Sequence, residues 1–168
     1  MFVSEHYGPA DHNWFAGSRR SLSAAQDYLR REYHGFALDA LESAFRFAVL
    51  AWLEFKQVPR TYRDATFEGD YSNFREHAPE GLRSGHYDTH QGLFWLREDI
   101  DGGEENFPAA KVDVPEWKRR LAKSAEQVAS FVAALEADCA AETAQLEAVR
   151  RAKEAAYRRH TTRGGPTE

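Results

Sequence analysis

The residues best suited to chemistry lie together in one short segment, RSGHYDTH, which runs from Arg83 to His90. An arginine holds a phosphate with a planar fork of donors, and a histidine gains or loses a proton near neutral pH. Six residues separate Arg83 from His90. Such a pair can cleave an RNA backbone, in which a ribose hydroxyl attacks the adjacent phosphate, with histidine as base or acid and arginine stabilising the developing charge. Because Arg and His are common, the same spacing also arises by chance between two solvated loop residues.

A second chemistry is open to the same segment. His86 and His90 are four positions apart, so a helix would place both imidazoles on one face. Asp88 adds an oxygen, and the three together suit a divalent metal. Gly85 and a capping role for Asp88 instead favour a helix that begins near Thr89 and leaves His86 outside it. We therefore expect no metal and no cofactor, and a metal-binding bundle is the third functional alternative.

Two charged residues could support the site from elsewhere in the chain. Glu42 and Arg46 are four positions apart in an otherwise apolar stretch. This spacing predicts an ion pair between residues one helical turn apart. If this face opens onto a cleft, Glu42, Arg46 and His86 support a site formed by Arg83 and His90. The alternative is a purely structural ion pair, since functional sites are only one cause of clustered charges.

The element that must position these residues runs from Phe36 to Phe55 and reads FALDALESAFRFAVLAWLEF. It contains no Gly or Pro, Pro59 follows it, and it is far longer than a typical strand. An element that is apolar all round predicts a buried central helix. Charged residues interrupt it at Asp39, Glu42, Arg46 and Glu54. Because a membrane span tolerates few charges, we expect no membrane partner.

Helices are predicted on both sides of the central one. Before it, small and apolar residues recur every three or four positions, at Trp14, Phe15, Ser18, Leu22, Ala25, Leu29 and Tyr33. That helix begins after a cap at Asp11 or near Ser23, ends at Gly35, and forms a hairpin with the central helix. After it, we expect a short helix from about Thr89 to Ile100 and a long one from about Pro115 to His160, capped by Asp113.

Residues 59–87 combine Pro, Gly, Asp and Asn without a persistent period. This predicts a long structured connection with one short helix around Tyr71 to His77, and such connections are often functional. The predicted fold class is all-α: an up-and-down four-helix bundle with a long structured loop after the second helix and a long C-terminal helix.

The bulk composition fits one helical domain of 168 residues. We expect its core at 11–140, a projecting helix end at 141–160 and a disordered tail at 161–168. The formal net charge of −5 argues against broad non-specific binding to DNA, while RNA and a cognate protein remain candidate partners. Cys139 is the single cysteine, which excludes an internal disulfide and favours a cytoplasmic location. The N-terminal residues show no secretory signal pattern.

Three stretches resemble the HEPN superfamily, small helical domains of prokaryotic toxin and defence systems. They are the Trp14, Leu22, Ala25 rhythm, the alanine-rich helix LDALESAFRFAVLAWLEF and the closing helix EWKRRLAKSAEQVASFVAALE. The family motif is an arginine followed after four to six residues by a histidine, and Arg83 and His90 match its six-residue form. The family often has a polar Asn, Asp or His after the arginine, whereas Ser84 stands here.

The resemblance implies a function as well as a fold. Family members that cleave RNA do so without a metal and are dimers whose two motifs meet at the interface. Others have lost the motif and bind nucleotides or partner proteins. We therefore expect a HEPN-like homodimer that is an RNA-cleaving toxin or phage-defence component, with Arg83 binding phosphate and His90 as general acid or base. The alternative is a non-catalytic helical module that binds a partner protein or a nucleotide.

Overall fold

Five helices make up the computed structural model, which describes residues 13–59, 67–106 and 114–162. They are α1 (Asn13–Arg30), α2 (His34–Phe55), α3 (Phe67–His77), α4 (Glu80–Asn106) and α5 (Val114–Thr162). No strand occurs within these three ranges, so the predicted all-α class is confirmed. None of the described helices combines the length and the apolar character needed to cross a membrane.

The central helix is confirmed, and α2 begins two residues earlier than predicted, at His34. Its buried residues are Ala37, Leu38, Leu41, Ala44, Phe45, Ala48, Val49, Leu50, Ala51, Trp52 and Leu53. Every residue from Ala48 to Leu53 is buried, as expected where a helix is apolar all round. Glu42 and Arg46 are half-buried, so the polar face of α2 lies at the edge of this core.

The predicted hairpin of α1 and α2 forms, but its turn differs from the prediction. Gly35 does not end the first helix, because α1 ends at Arg30 and Gly35 lies inside α2. Two residues after the end of α1, Glu32 reverses the chain with a left-handed φ of 63°. The amide of Tyr33 then donates to the carbonyl of Tyr28 at 2.9 Å, which is the outer bond of a Schellman motif.

Small residues let α1 and α2 approach closely. A Cβ on Gly17 would lie 3.3 Å from the ring of Phe47, so glycine suits this position despite its low helix propensity. Ser18 is buried and donates a hydrogen bond of 2.7 Å to the carbonyl of Ala44. The α1 face of α2 therefore includes Ala44 and Phe47.

The predicted helix starts have mixed outcomes. A start near Ser23 is wrong, because α1 is continuous from Asn13. The last helix begins at Val114, one residue before its predicted start. The two predicted caps, Asp11 and Asp113, lie outside the described residues.

The predicted connection at residues 59–87 is wrong from Phe67 onward, because α3 and the start of α4 occupy it. The short helix predicted around Tyr71 is confirmed and begins four residues earlier. The predicted loop missed α4 because its first half contains Gly81 and Gly85, which weaken a helix pattern.

Hydrogen bonds at its N-terminus and packing against α5 offset the low helix propensity of the first half of α4. The carbonyl of Pro79 accepts hydrogen bonds of 3.0 Å from the amides of Leu82 and Arg83, which begins the first turn. Gly85 faces α5, where a Cβ would lie 3.5 Å from the ring of Phe131. The helix therefore runs through the glycines, nine residues before its predicted start at Thr89.

The chain divides into two compact units, Met1–Glu136 and Ala137–Glu168. In the first unit, the part of α5 up to Leu135 buries an apolar stripe of Leu121, Val128, Phe131, Val132 and Leu135. In the second unit, Cys139 is buried, as predicted for a small core residue. The projecting helix end at 141–160 stays a prediction. Residues 161 and 162 of the predicted tail belong to α5 instead, and the rest of the tail, 163–168, lies outside the described residues.

Candidate functional site

Six aromatic and imidazole rings from α2, α3, α4 and α5 meet inside the first unit. They are Phe45, Tyr71, Phe74, His86, His90 and Phe131, and we call them the histidine–aromatic cluster. His86 lies at its centre, because its ring centroid is between 4.8 and 6.0 Å from each of the other five. Rings at these distances attract one another, so the cluster links four helices.

His86 is an unusual core residue. It is only 2% exposed, and neither ring nitrogen has a hydrogen-bond partner among the described residues. Burial, reinforced by the charges of His90 and Arg75, lowers the pKa of His86 to about 4. The imidazole is therefore neutral at physiological pH. An unsatisfied buried polar group costs about 1–3 kcal/mol, so His86 is an exception to the usual pairing of buried polar groups.

His90 connects this interior to the surface. Its ring lies parallel to that of His86 at 5.9 Å and 15°, and edge-on to Tyr71 at 5.0 Å. His90 is half-buried, in contrast to His86. Burial and the charge of Arg75 lower the pKa of His90, which favours a neutral imidazole that can accept a proton.

Charged residues surround the Tyr71 end of the cluster. Burial raises the pKa of the Tyr71 hydroxyl, and the charges of Arg46, Glu42 and Asp70 also act on it. The phenol therefore stays protonated. Since electrostatic effects of this kind need short distances, Glu42 and Arg46 belong to the surroundings of the cluster. Asp70 is fully buried next to Tyr71 in sequence.

Arg97 binds two carboxylates on the polar face of α2. Arg97 of α4 donates to both carboxylate oxygens of Glu42, at 3.1 and 2.6 Å, and to Asp39 at 2.5 Å. The hydrogen bonds to Glu42 and then to Asp39 raise the pKa of Arg97. This bidentate geometry fixes α2 against α4. The predicted ion pair between Glu42 and Arg46 stays a prediction.

Arg83 has different surroundings from His90, although both lie on α4. Its guanidinium donates to Glu80 at 2.5 Å, in the first turn of the helix, and its side chain is 44% exposed. Seven positions of helix place the two Cα atoms about 10 Å apart along the axis. Within one chain, the His90 ring packs against the other rings of the cluster, while the Arg83 guanidinium contacts Glu80. The pairing of Arg83 with His90 on one phosphate stays a prediction.

An open groove of about 460 Å³ separates α4 from α5 within the first unit. It is lined by Gly81, Leu82, Gly85, Asp88, Thr89, Lys123, Glu126, Gln127, Ser130, Phe131 and Ala134. Asp88 thus lines this groove from the interior of α4, and its predicted capping role is wrong because the helix starts at Glu80. Thr89 is also interior to the helix, where its hydroxyl donates to the carbonyl of Gly85 at 2.7 Å.

Among the residues that the structure describes, no three His, Cys, Asp or Glu side chains converge as a metal site requires. In comparisons with protein-family models, with curated proteins and with solved structures, the chain matched none.

Sequence reasoning found His86 and His90 but missed their neighbours. Tyr71 and Phe131 lie in different helices, 60 positions apart, so no local pattern relates them. Arg97 was missed because its partner Glu42 is 55 positions away. The available signal was the four-residue spacing of the two histidines, which becomes informative only if α4 is continuous through Gly85.

Proposed function

We propose that this chain is a HEPN-like helical protein that cleaves RNA without a metal ion, as a component of a toxin or phage-defence system. We also propose that its main helices form an up-and-down bundle. One observation carries it: His90 is half-buried against Tyr71 and His86, and its pKa is lowered. A neutral, partly accessible imidazole is the proton acceptor that RNA cleavage by a ribose hydroxyl requires.

In the proposed reaction, neutral His90 takes the proton of the ribose 2′-hydroxyl. The 2′-oxygen attacks the adjacent phosphorus, the bond from phosphorus to the 5′-oxygen breaks, and the leaving oxygen takes a proton from water or from a protonated imidazole. The products are a 2′,3′-cyclic phosphate and a free 5′-hydroxyl. Arg83 stabilises the charge that develops on the phosphate. For this role its guanidinium has to exchange Glu80 for a phosphate oxygen.

Arg75 is a second candidate for phosphate binding. Its charge acts on His90 and on His86, so it lies near both imidazoles. Its guanidinium bonds to the carbonyl of Tyr71 at 3.3 Å and to Ser72 at 3.5 Å, and the side chain is exposed. The proposal therefore assigns proton transfer to His90 and charge stabilisation to Arg83, with Arg75 as its alternative.

A non-catalytic interaction module is the second candidate. The observation that favours it is in the second unit, where large apolar side chains of the last helix are exposed: Leu146 at 63%, Val149 at 47% and Tyr157 at 72%. Exposed apolar surface of this kind marks a contact with another macromolecule.

Incubation of the purified protein with total RNA in excess chelator separates the two candidates. The proposed function predicts cleavage by the wild type, and a loss on the order of 100-fold in His90→Ala, the lower range for a lost acid or base. Arg83→Ala and Arg75→Ala identify which arginine acts. His77→Ala is the matched control, because His77 is an exposed histidine of α3. Intact RNA with the wild type leaves only the interaction module.

A further inference from the structure

The C-terminal part of α5 carries a stripe of residues whose spacing is the same in both chain directions; its first residue, Glu142, is half-buried and the other three are exposed. Glu142, Leu146, Val149 and Lys153 follow one another at intervals of four, three and four residues, and we call them the C-terminal stripe. Alternation of four and three residues keeps side chains on one face of a helix, as in the core positions of a coiled coil. Leu146 is 63% exposed and Val149 is 47% exposed, so the apolar centre of the stripe faces solvent.

We propose that the C-terminal stripe pairs with the same stripe of a second copy of this chain, in antiparallel orientation. An antiparallel copy centred between Leu146 and Val149 places each of these residues across from the other. The same alignment places Glu142 across from Lys153 of the partner copy, twice per dimer. Opposite charges therefore flank the apolar centre on both sides.

Charge selects this orientation over the parallel one. A parallel, in-register pair would place Glu142 against Glu142 and Lys153 against Lys153, which is unfavourable. A repeat of four and three residues has two core positions, a and d, and Leu146 and Val149 occupy one of each. The antiparallel alignment therefore packs an a residue of one copy against a d residue of the other. The pairing uses residues of the second unit alone, so it is independent of the activity proposed for the histidine–aromatic cluster.

The side chains outside the stripe agree with a single paired face. Arg151 donates to Glu147 at 3.2 Å, and Arg150 lies 3.6 Å from Glu154, so these charges pair within their own helix. Such pairs stabilise an exposed helix. The described helix of the second unit therefore carries intrahelical ion pairs beside the C-terminal stripe, and the exposed Tyr157 lies outside the stripe.

The paired surface is small, because only two large apolar residues of each copy meet. Interfaces below about 1,200 Å² belong to weak and transient complexes. We therefore expect a dissociation constant on the order of 10–100 µM, and a concentration-dependent equilibrium of monomer and dimer.

Sedimentation equilibrium of the full chain at several concentrations, from well below to well above this range, tests the pairing. The proposal predicts that Leu146→Glu raises the dissociation constant at least tenfold. Ala144→Glu is the matched control, because Ala144 is exposed and lies outside the stripe, and it should associate like the wild type. Circular dichroism confirms that each variant keeps its helix.

Charge exchange tests the orientation. Glu142→Lys alone and Lys153→Glu alone each create two like-charged contacts and should weaken association about tenfold, whereas the double variant restores both pairs and associates nearly as well as the wild type. A double variant as weak as the single ones overturns the antiparallel register. Single variants that associate like the wild type overturn it as well. A wild-type chain that stays monomeric throughout overturns the pairing and leaves the stripe to a protein of different sequence.

Discussion

Protonation of His86 should destabilise the fold as the pH falls. The ordinary pKa of histidine is 6.5, and burial lowers that of His86 to about 4. Between these values the unfolded chain binds a proton that the folded chain does not, so the free energy of unfolding decreases as the pH falls through 6.5. The charges of His90 and Arg75 are part of the cause of this lowered pKa, because both disfavour the charged form of the His86 imidazole.

The size of the effect follows from the two pKa values. Linkage gives a loss of about 2–3 kcal/mol between pH 7.5 and pH 4.5 from this one imidazole. That is a large fraction of the 5–15 kcal/mol typical of the free energy of unfolding of a domain. His86→Phe removes the titrating group and keeps a ring in the cluster, at a cost of about 1–3 kcal/mol if the larger ring is overpacked.

Urea unfolding of the wild type and of His86→Phe at pH 7.5 and pH 4.5 measures how much stability each protein loses on acidification. Carboxylates also titrate in this range, but they do so in both proteins, so the quantity to compare is the loss in wild type minus the loss in the variant. We expect a difference of about 2–3 kcal/mol. His77→Phe, at an exposed histidine of α3, should keep the wild-type loss. If the losses in wild type and His86→Phe agree within error, His86 is not the buried neutral imidazole described above.

Two further predictions concern the scaffold. Arg97→Ala should lower the free energy of unfolding by about 1–2 kcal/mol, because it leaves Glu42 and Asp39 without their shared donor, and Arg97→Lys should lose about half as much because it keeps the charge without the fork. Equal urea midpoints for Arg97→Ala and wild type would contradict this. Gln57→Gly should raise the free energy of unfolding by about 0.5–1 kcal/mol, since Gln57 ends α2 with a left-handed φ of 54°. Lys56→Gly, at a right-handed φ of −76°, should give no such gain in thermal unfolding.

The fold was predictable where a pattern is local. The length and apolar content of the central stretch were enough to identify α2, because no other element accommodates such a run. The start of α4 was not predictable in this way, since Gly81 and Gly85 weaken the helical pattern and packing against Phe131 restores it. Tertiary contacts, which propensity does not contain, decided that element.

The candidate site shows the same division. His86 and His90 were recognised as chemically capable from their types and spacing. Their burial and lowered pKa values depend on Tyr71 from α3 and Phe45 from α2, and only the assembled fold brings these rings together. Arg83 was predicted from its chemistry, its spacing to His90 and the family motif. Its contact with Glu80 depends on the first turn of α4 after Pro79, a segment that was predicted to be a loop.

The pH dependence of RNA cleavage in excess chelator tests the central claim, that His90 is a neutral proton acceptor, most directly. The wild-type rate should rise with pH through a midpoint below the ordinary histidine value of 6.5 and then level off, because the pKa of His90 is lowered. His90→Ala should lose on the order of 100-fold at the plateau, while His77→Ala follows the wild-type profile. Equal rates for His90→Ala and wild type, or RNA that stays intact with the wild type at every pH, would contradict the claim.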